Sequence, residues 1–220
     1  DHEYAASRGI PVANIPDYGT EEVADSALGM ALTLARGIHP LNSTLREKLG
    51  PYSYTQVVPL QRLRDKVFGI VGMGRIGTAT AVRAQAFGMQ VVFYDPFQPD
   101  GYEKAIGCLR VSTLEELLPQ VHILSLHCPL TDLTRHMLNR QTLSLMPRGS
   151  YLVNTSRGDV LDTAVLPEFL DTGHLAGAAI DVLAEEPPAD DNPLVAAWRD
   201  PNHAAHHRLL LNPHSAFYSE

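Results

Sequence analysis

Three polar residues stand just past apolar runs late in the chain, and their types suit one chemistry between them. Arg157 follows "YLVN", Glu186 follows "AIDVLAE" and precedes a Pro-Pro pair, and His214 follows "LLLNP". A guanidinium can grip a carboxylate through two parallel hydrogen bonds and polarise a neighbouring carbonyl. An imidazole gives or takes a proton near neutral pH, and a carboxylate can orient the ring and stabilise its charged form. Set beside a nicotinamide, the three would suit hydride transfer to and from a 2-oxo acid. Taken singly, each has a plainer explanation. Arg157 would pair with Asp159 at a helix start, Glu186 would be a solvated loop acid, and His214 would cap a strand.

A second motif favours the chemical explanation. "VFGIVGMGRIGTATAVRAQAFGMQVVFYD" carries Gly72, Gly74 and Gly77 in G-x-G-x-x-G spacing. It leaves an apolar run, opens a helix with Ile76, Ala79, Val82 and Ala86 as its expected inner face, and reaches a second run that ends in Asp95. In that setting the glycines supply a tight turn, close approach of backbone to a diphosphate, and close helix–strand contact. The helix N-terminus adds free N–H groups and partial positive charge. Asp95 lies 18 residues beyond Gly77, where a carboxylate meets ribose hydroxyls and repels a 2′-phosphate. The next arginine is Arg110, so NAD is expected rather than NADP.

These residues need a frame, and the apolar pattern supplies one. Strands are expected at 10–15, 66–72, 90–95, 121–126, 150–154, 176–182 and 208–212, and helices at 21–38, 75–87, 113–119 and 159–173, with a helical turn at 141–146. Residues 49–60 read as a surface connection. Strands apolar on both faces, alternating with helices, imply a parallel, doubly wound α/β sheet. Residues past the carboxyl ends of such strands line the ligand crevice. Helix 21–38 is apolar nearly all the way round and must be covered on both sides. One face is read as a subunit interface, with burial inside one chain as the alternative.

The composition fits an ordinary globular protein: 220 residues, 45% hydrophobic, with no internal repeat. Lys plus Arg is 17 against 25 for Asp plus Glu, and a net charge of -8 argues against nucleic acid as a direct partner. No apolar run reaches the ~18 residues of a membrane helix. The two cysteines, Cys108 and Cys128, share no metal-type spacing and suit a reducing compartment. His203, His206 and His207 in "PNHAAHHRL" lack an acid or Cys at ligand spacing. They are read as surface histidines on a loop, and no metal is expected.

Across essentially its whole length the chain resembles the D-2-hydroxyacid dehydrogenase family. The likeness rests on "GIPVANIPDYGTEEVADSAL", "GIVGMGRIG", "LHCPLTDLTRHMLN", "MPRGSYLVNTSRGDVLD", "AAIDVLAEEPP" and "NPHSAFYSE". Within the family it looks most like the C-terminal-binding protein (CtBP) branch, through "FYDPFQPDGYEKAIG" and "AFYSE". The resemblance implies a Rossmann-type NAD-binding domain and assigns Arg157, Glu186 and His214 as the catalytic set. It implies cofactor contacts from Val71, Gly72, Met73, Gly74, Arg75, Ile76 and Gly77, from Asp95, and from Cys128, Pro129, Leu130 and Thr134. Thr155, Ser156, Arg157, Asp181, His214 and Phe217 complete that set, with Asp181 meeting the nicotinamide carboxamide.

The same resemblance implies a homodimer built on helix 21–38 and a small 2-hydroxy or 2-oxo acid substrate. The expected location is cytoplasmic, or nuclear for a corepressor whose output is NADH-sensitive protein binding. Formate dehydrogenases carry an amide where Glu186 stands. Two departures are visible: Asp65 replaces a glycine before the first cofactor strand, and Phe217 stands where the corepressor branch has tryptophan. Residues 1–18 are expected to be a remnant of a second, flavodoxin-like substrate domain. Residues 19–212 form the dinucleotide-binding domain and 213–220 begin the return, so the fragment alone is expected to turn over little.

Overall fold

The computed structural model describes residues 2–15, 17–50, 52–57 and 59–220, with His2 through its backbone only. Seven strands form one parallel sheet: β1 (Val67–Val71), β2 (Gln90–Tyr94), β3 (Leu109–Val111), β4 (Ile123–Leu126), β5 (Ser150–Asn154), β6 (Leu175–Ile180) and β7 (Leu209–Leu211). Their spatial order is β3-β2-β1-β4-β5-β6-β7. The order reverses between β1 and β4, which opens a crevice above the carboxyl ends of those strands. Strands β4 and β5 are buried along their whole length, as expected where helices cover both faces.

The helices are α1 (His2–Ser7), α2 (Thr20–Ala35), α3 (Ile38–Glu47), α4 (Arg75–Ala86), α5 (Tyr102–Ile106), α6 (Leu114–Leu117), α7 (Arg140–Leu143), α8 (Leu166–Asp171), α9 (Pro193–Arg199) and α10 (Ala205–Arg208). One core layer joins α2 and α4 to Phe68, Ile70, Phe93 and Val153. The other packs Leu117, Leu124, Leu152, Leu166 and Leu194 on the opposite face.

Several expectations are corrected. Residues 10–15 form no strand; Ile10, Val12 and Ile15 are exposed, and no described strand pairs with them. The helix expected over 159–173 is broken into two 3-10 turns, Gly158–Val160 and Thr163–Val165, before α8. Between the turns, Leu161 is extended and bridged to Leu138. Asp162 N donates to Leu138 O at 2.8 Å, and the Asp162 side chain accepts from Ala164 N. These bonds replace the helical ladder.

The inner face of α4 is Gly77, Thr80, Ala81 and Ala84, while Val82 is 57% exposed and Ala86 is exposed. Gly77 must face the strand, and its i+3, i+4 and i+7 neighbours follow it inward. Of the three histidines only His203 lies on a loop, where it is half-buried. His206 and His207 lie half-buried on α10, and His203 Nδ1 accepts from Ala205 N.

Helix α2 buries Val23, Ala24, Ala27, Leu28, Met30, Ala31, Leu34 and Ala35 within its own chain, against α4, β5 and β6. Its all-round apolarity is therefore accounted for without a second subunit. Asp65 has φ +66°, and its N–H donates to Gly88 O. A residue type that tolerates the left-handed region here takes a conformation that glycine adopts most readily.

Candidate active site

The glycine turn connects β1 to α4, and its dimensions explain the residue choice. Gly72 has φ +90°, and a Cβ there would sit 2.7 Å from Cys128 N; one on Gly77 would sit 2.1 Å from Gly72 O. No atom lies within 4 Å of a Cβ on Gly74. The turn is thus closed against β4 behind and open at its tip, which is what backbone approach to a diphosphate requires. Val71 and Met73 are buried, while Gly74 and Arg75 are exposed at the tip with Ile76 half-buried beside them.

Asp95 reaches back to this turn. One carboxylate oxygen accepts Met73 N at 2.8 Å and the other accepts Phe97 N at 2.9 Å. Arg110 is far along the chain but near in space: Nη2 donates to Asp95 O at 3.0 Å. Its position on β3, beside β2, brings it there. Distance along the sequence was a poor measure of the charge around this ribose position.

On the β4 side, Cys128 is buried with its sulfur 3.9 Å from Met137 Sδ, and burial raises its thiol to about 11. Thr134 Oγ1 donates to Pro129 O at 2.7 Å and accepts from Thr131 N at 2.8 Å, so it shapes the 129–134 turn, whose Leu130 is half-buried. His127, just beyond β4, shares a 2.9 Å hydrogen bond with Ser125 Oγ, and desolvation lowers its pKa to about 4.

At the end of β5, the buried Asn154 organises the backbone. Its Oδ1 accepts from Ser156 N at 3.0 Å and Ser156 Oγ at 2.9 Å, and its Nδ2 donates to Arg157 O at 3.0 Å. Thr155 Oγ1 is buried with no partner among the described residues, an orphan of the kind a bound ligand satisfies. Arg157 is exposed and donates Nη1 to Ser156 O. It forms no ion pair among the described residues: Asp159, its expected partner, is held by Arg135.

Gly158 then lets a second loop come close. A Cβ on it would lie 2.0 Å from the Leu183 carbonyl carbon and 2.2 Å from Ala184 N. Only a residue without a side chain lets the loop that carries Glu186 rest against the loop that carries Arg157.

Glu186 and His214 are in direct contact, Nδ1 to Oε2 at 2.6 Å, and Glu186 Oε1 accepts Leu183 N at 2.8 Å. Burial opposes ionisation of Glu186. The hydrogen bonds from His214 and the Leu183 amide, with the charges of His214 and Arg157, outweigh it and hold the carboxyl below its ordinary value. His214 sits at φ +53°, kept there by its N–H bond to Asp181 O at 2.8 Å. Both carboxylate oxygens of the buried Asp181 also accept backbone N–H groups, from Ser215 and Ala216, at 3.0 Å. Phe217 lies edge-on to His214, centroids 5.9 Å apart, and tilts against Tyr18 at 6.0 Å.

The fold thus gathers Arg157, Glu186 and His214 on neighbouring loops above β5, β6 and β7. Sequence reasoning missed Asn154 and Gly158 as positioning residues. A polar residue ending "YLVN", and the glycine directly after the arginine, were the available signals. It also missed Ser26 and Glu22, whose bonds to Ala216 O and Ser219 Oγ tie the final segment to α2.

Comparisons with known proteins place the chain in a family. Residues 28–216 match the family model described as D-isomer specific 2-hydroxyacid dehydrogenase, NAD binding domain. A glyoxylate reductase of Korarchaeum cryptofilum is 38% identical over 98% of this chain and 62% of its own length. A D-3-phosphoglycerate dehydrogenase of Methanocaldococcus jannaschii is 37% identical over 89% of this chain and 36% of its own length. The crystal structure of an Aquifex aeolicus D-lactate dehydrogenase complexed with NAD and lactic acid superposes at a TM-score of 0.86. That protein is 32% identical, over all of this chain and 67% of its own. The chain therefore spans less than two thirds of the length of the curated relatives it matches.

Proposed function

Since this chain belongs to the D-isomer specific 2-hydroxyacid dehydrogenase family, whose NAD-binding domain it matches, we propose that its parent protein interconverts a small D-2-hydroxy acid and the 2-oxo acid. The observation that carries this reading is the 2.6 Å His214–Glu186 contact on loops next to an unpaired arginine and above a dinucleotide turn. NAD, when bound, supplies or accepts the hydride. The dimensions of the turn, open at Gly74 and closed at Gly72 and Gly77, fit a diphosphate, and Thr155 Oγ1 offers a free polar atom nearby.

Arg157 holds the substrate carboxylate and draws electron density from the adjacent carbonyl. His214 presents Nε2 to the carbonyl oxygen and delivers a proton as the alkoxide develops, taking it back in the reverse direction. Glu186 fixes the ring through Nδ1 and balances its charge. Asp181 holds the loop after β7, so that His214 keeps its orientation. Glyoxylate, hydroxypyruvate and pyruvate are the substrate class to test. Arg157→Gln should lose most turnover yet still bind NADH, and full turnover by this variant would refute the assignment.

The domain reading stays as proposed: 1–18 as a remnant of a substrate lobe, 19–212 as the cofactor domain, 213–220 as the return. The exposed Tyr18 and Phe217 meet at that junction and support it. A homodimer is supported by the exposed apolar side chains Ile38, Leu49, Tyr52, Tyr54 and Val82, all of which follow α2 in sequence. No helix among the described residues is long and apolar enough to cross a membrane. The likeness to the CtBP branch rests on two short stretches of sequence, and no structural observation favours the corepressor reading.

A further inference from the structure

At the opposite end of the sheet from the histidine–glutamate pair, where β5 and β6 begin, lies a cavity of about 420 Å³. It is bounded by the α2–α3 turn, by Gln56, Val57, Pro59 and Leu60, and by α10. Its walls are largely apolar, with Leu34, Leu60, Ala176 and Ala204 among them, and no acidic residue lines it. In a chain of net charge -8, that is a local inversion.

The polar side chains at the cavity are those of Gln56, Tyr151, His207 and Arg208. Tyr151 is 8% exposed, and its hydroxyl makes no hydrogen bond among the described residues. His207 Nδ1 is likewise buried and without a partner among them. Arg208 donates Nη1 to Leu170 O at 2.6 Å, and no described carboxylate pairs with it. Burial raises the pKa of the Tyr151 hydroxyl, and the charges of Arg208 and Arg36 only partly oppose the rise. A buried polar nitrogen without a partner is costly and needs an explanation. The volume is that of a small-molecule pocket.

We propose that this cavity binds a small organic carboxylate with an apolar body, at a site separate from the dinucleotide cleft. The carboxylate takes hydrogen bonds from Tyr151 and Arg208, and the body lies against Leu34, Leu60 and Ala176. A single close guanidinium and apolar walls suit a monoanion better than a phosphate, which needs more donors than the cavity offers.

The test is calorimetric titration of this chain with phenylacetate, which carries neither a 2-oxo nor a 2-hydroxy group. Neutral phenylacetamide and inorganic phosphate are titrated in parallel. Phenylacetate should bind at one site, the amide and phosphate far more weakly. Tyr151→Phe should weaken binding roughly tenfold, the value of one hydrogen bond to a charged group. Ala204→Leu, which fills the cavity, should abolish it, while Arg157→Gln should leave it unchanged. Circular dichroism and thermal midpoints verify that each variant is folded.

The proposal fails if phenylacetate does not bind, or if Tyr151→Phe and Ala204→Leu bind it as the parent does. Equal binding of the amide, or preference for phosphate, also overturns it. Loss of binding in Arg157→Gln would move the ligand to the catalytic cleft and overturn it too. That arm keeps the outcome independent of the catalytic assignment.

Discussion

Glu186 uses its two carboxylate oxygens on different elements: Oε2 holds His214 Nδ1 at 2.6 Å, and Oε1 holds the Leu183 amide at 2.8 Å. One side chain therefore fixes both the imidazole beyond β7 and its own loop beyond β6. Glu186→Gln should lower kcat for oxo-acid reduction about 10²-fold, with NADH binding kept. Steady-state kinetics and fluorescence titration of NADH check both, and an unchanged kcat would count against the pairing.

Gly158 should tolerate no side chain. A Cβ there would press on the Leu183–Ala184 peptide at 2.0–2.2 Å, so Gly158→Ala must push the Glu186 loop away from Arg157. The expected cost is about 1–3 kcal/mol of stability, together with a loss of kcat at least as large as that of Glu186→Gln. Thermal melting and kinetics on the same variant measure the two effects.

Asp95 and Arg110 set cofactor choice together. Asp95→Asn keeps an acceptor for the Met73 amide but removes the charge that repels a 2′-phosphate, and Arg110, 3.0 Å from the Asp95 carbonyl, is already placed to receive one. The affinity for NADPH relative to NADH should rise at least ~10-fold, read by fluorescence titration of each. An unchanged ratio would mean that Arg110 is not available to the ligand.

His127 should make stability depend on pH. Burial lowers its pKa from 6.5 to about 4, so between those values the unfolded chain binds the proton more readily than the folded one. Stability from this group is therefore complete above pH 6.5 and declines as pH falls toward 4, by at most about 3 kcal/mol. His127→Gln should melt with a shallower pH dependence over that window. Denaturant melts at pH 7 and pH 5 decide it.

Much of this molecule is written in local pattern. The alternation of apolar strands with helices determines a parallel sheet, because strands that are apolar on both faces must be covered on both faces. The G-x-G-x-x-G spacing and Asp95 specify the dinucleotide turn, since Gly72 and Gly77 answer clashes that any side chain would create and Gly74 leaves the tip open. Even Asp65 is legible, as a residue able to take the left-handed conformation it is found in. What the sequence could not decide depends on contacts between segments far apart. Leu138 takes the bonds that would have continued a helix through Leu161, Gly77 rotates the inner face of α4, and the chain itself buries the helix that read as an interface. Arg110 comes beside Asp95 only because β3 pairs with β2, and the loop of Arg157 rests against the loop of Glu186 only because Gly158 has no side chain. Periodicity reports what a segment prefers, and tertiary packing chooses its neighbours, which is where chemistry is assembled.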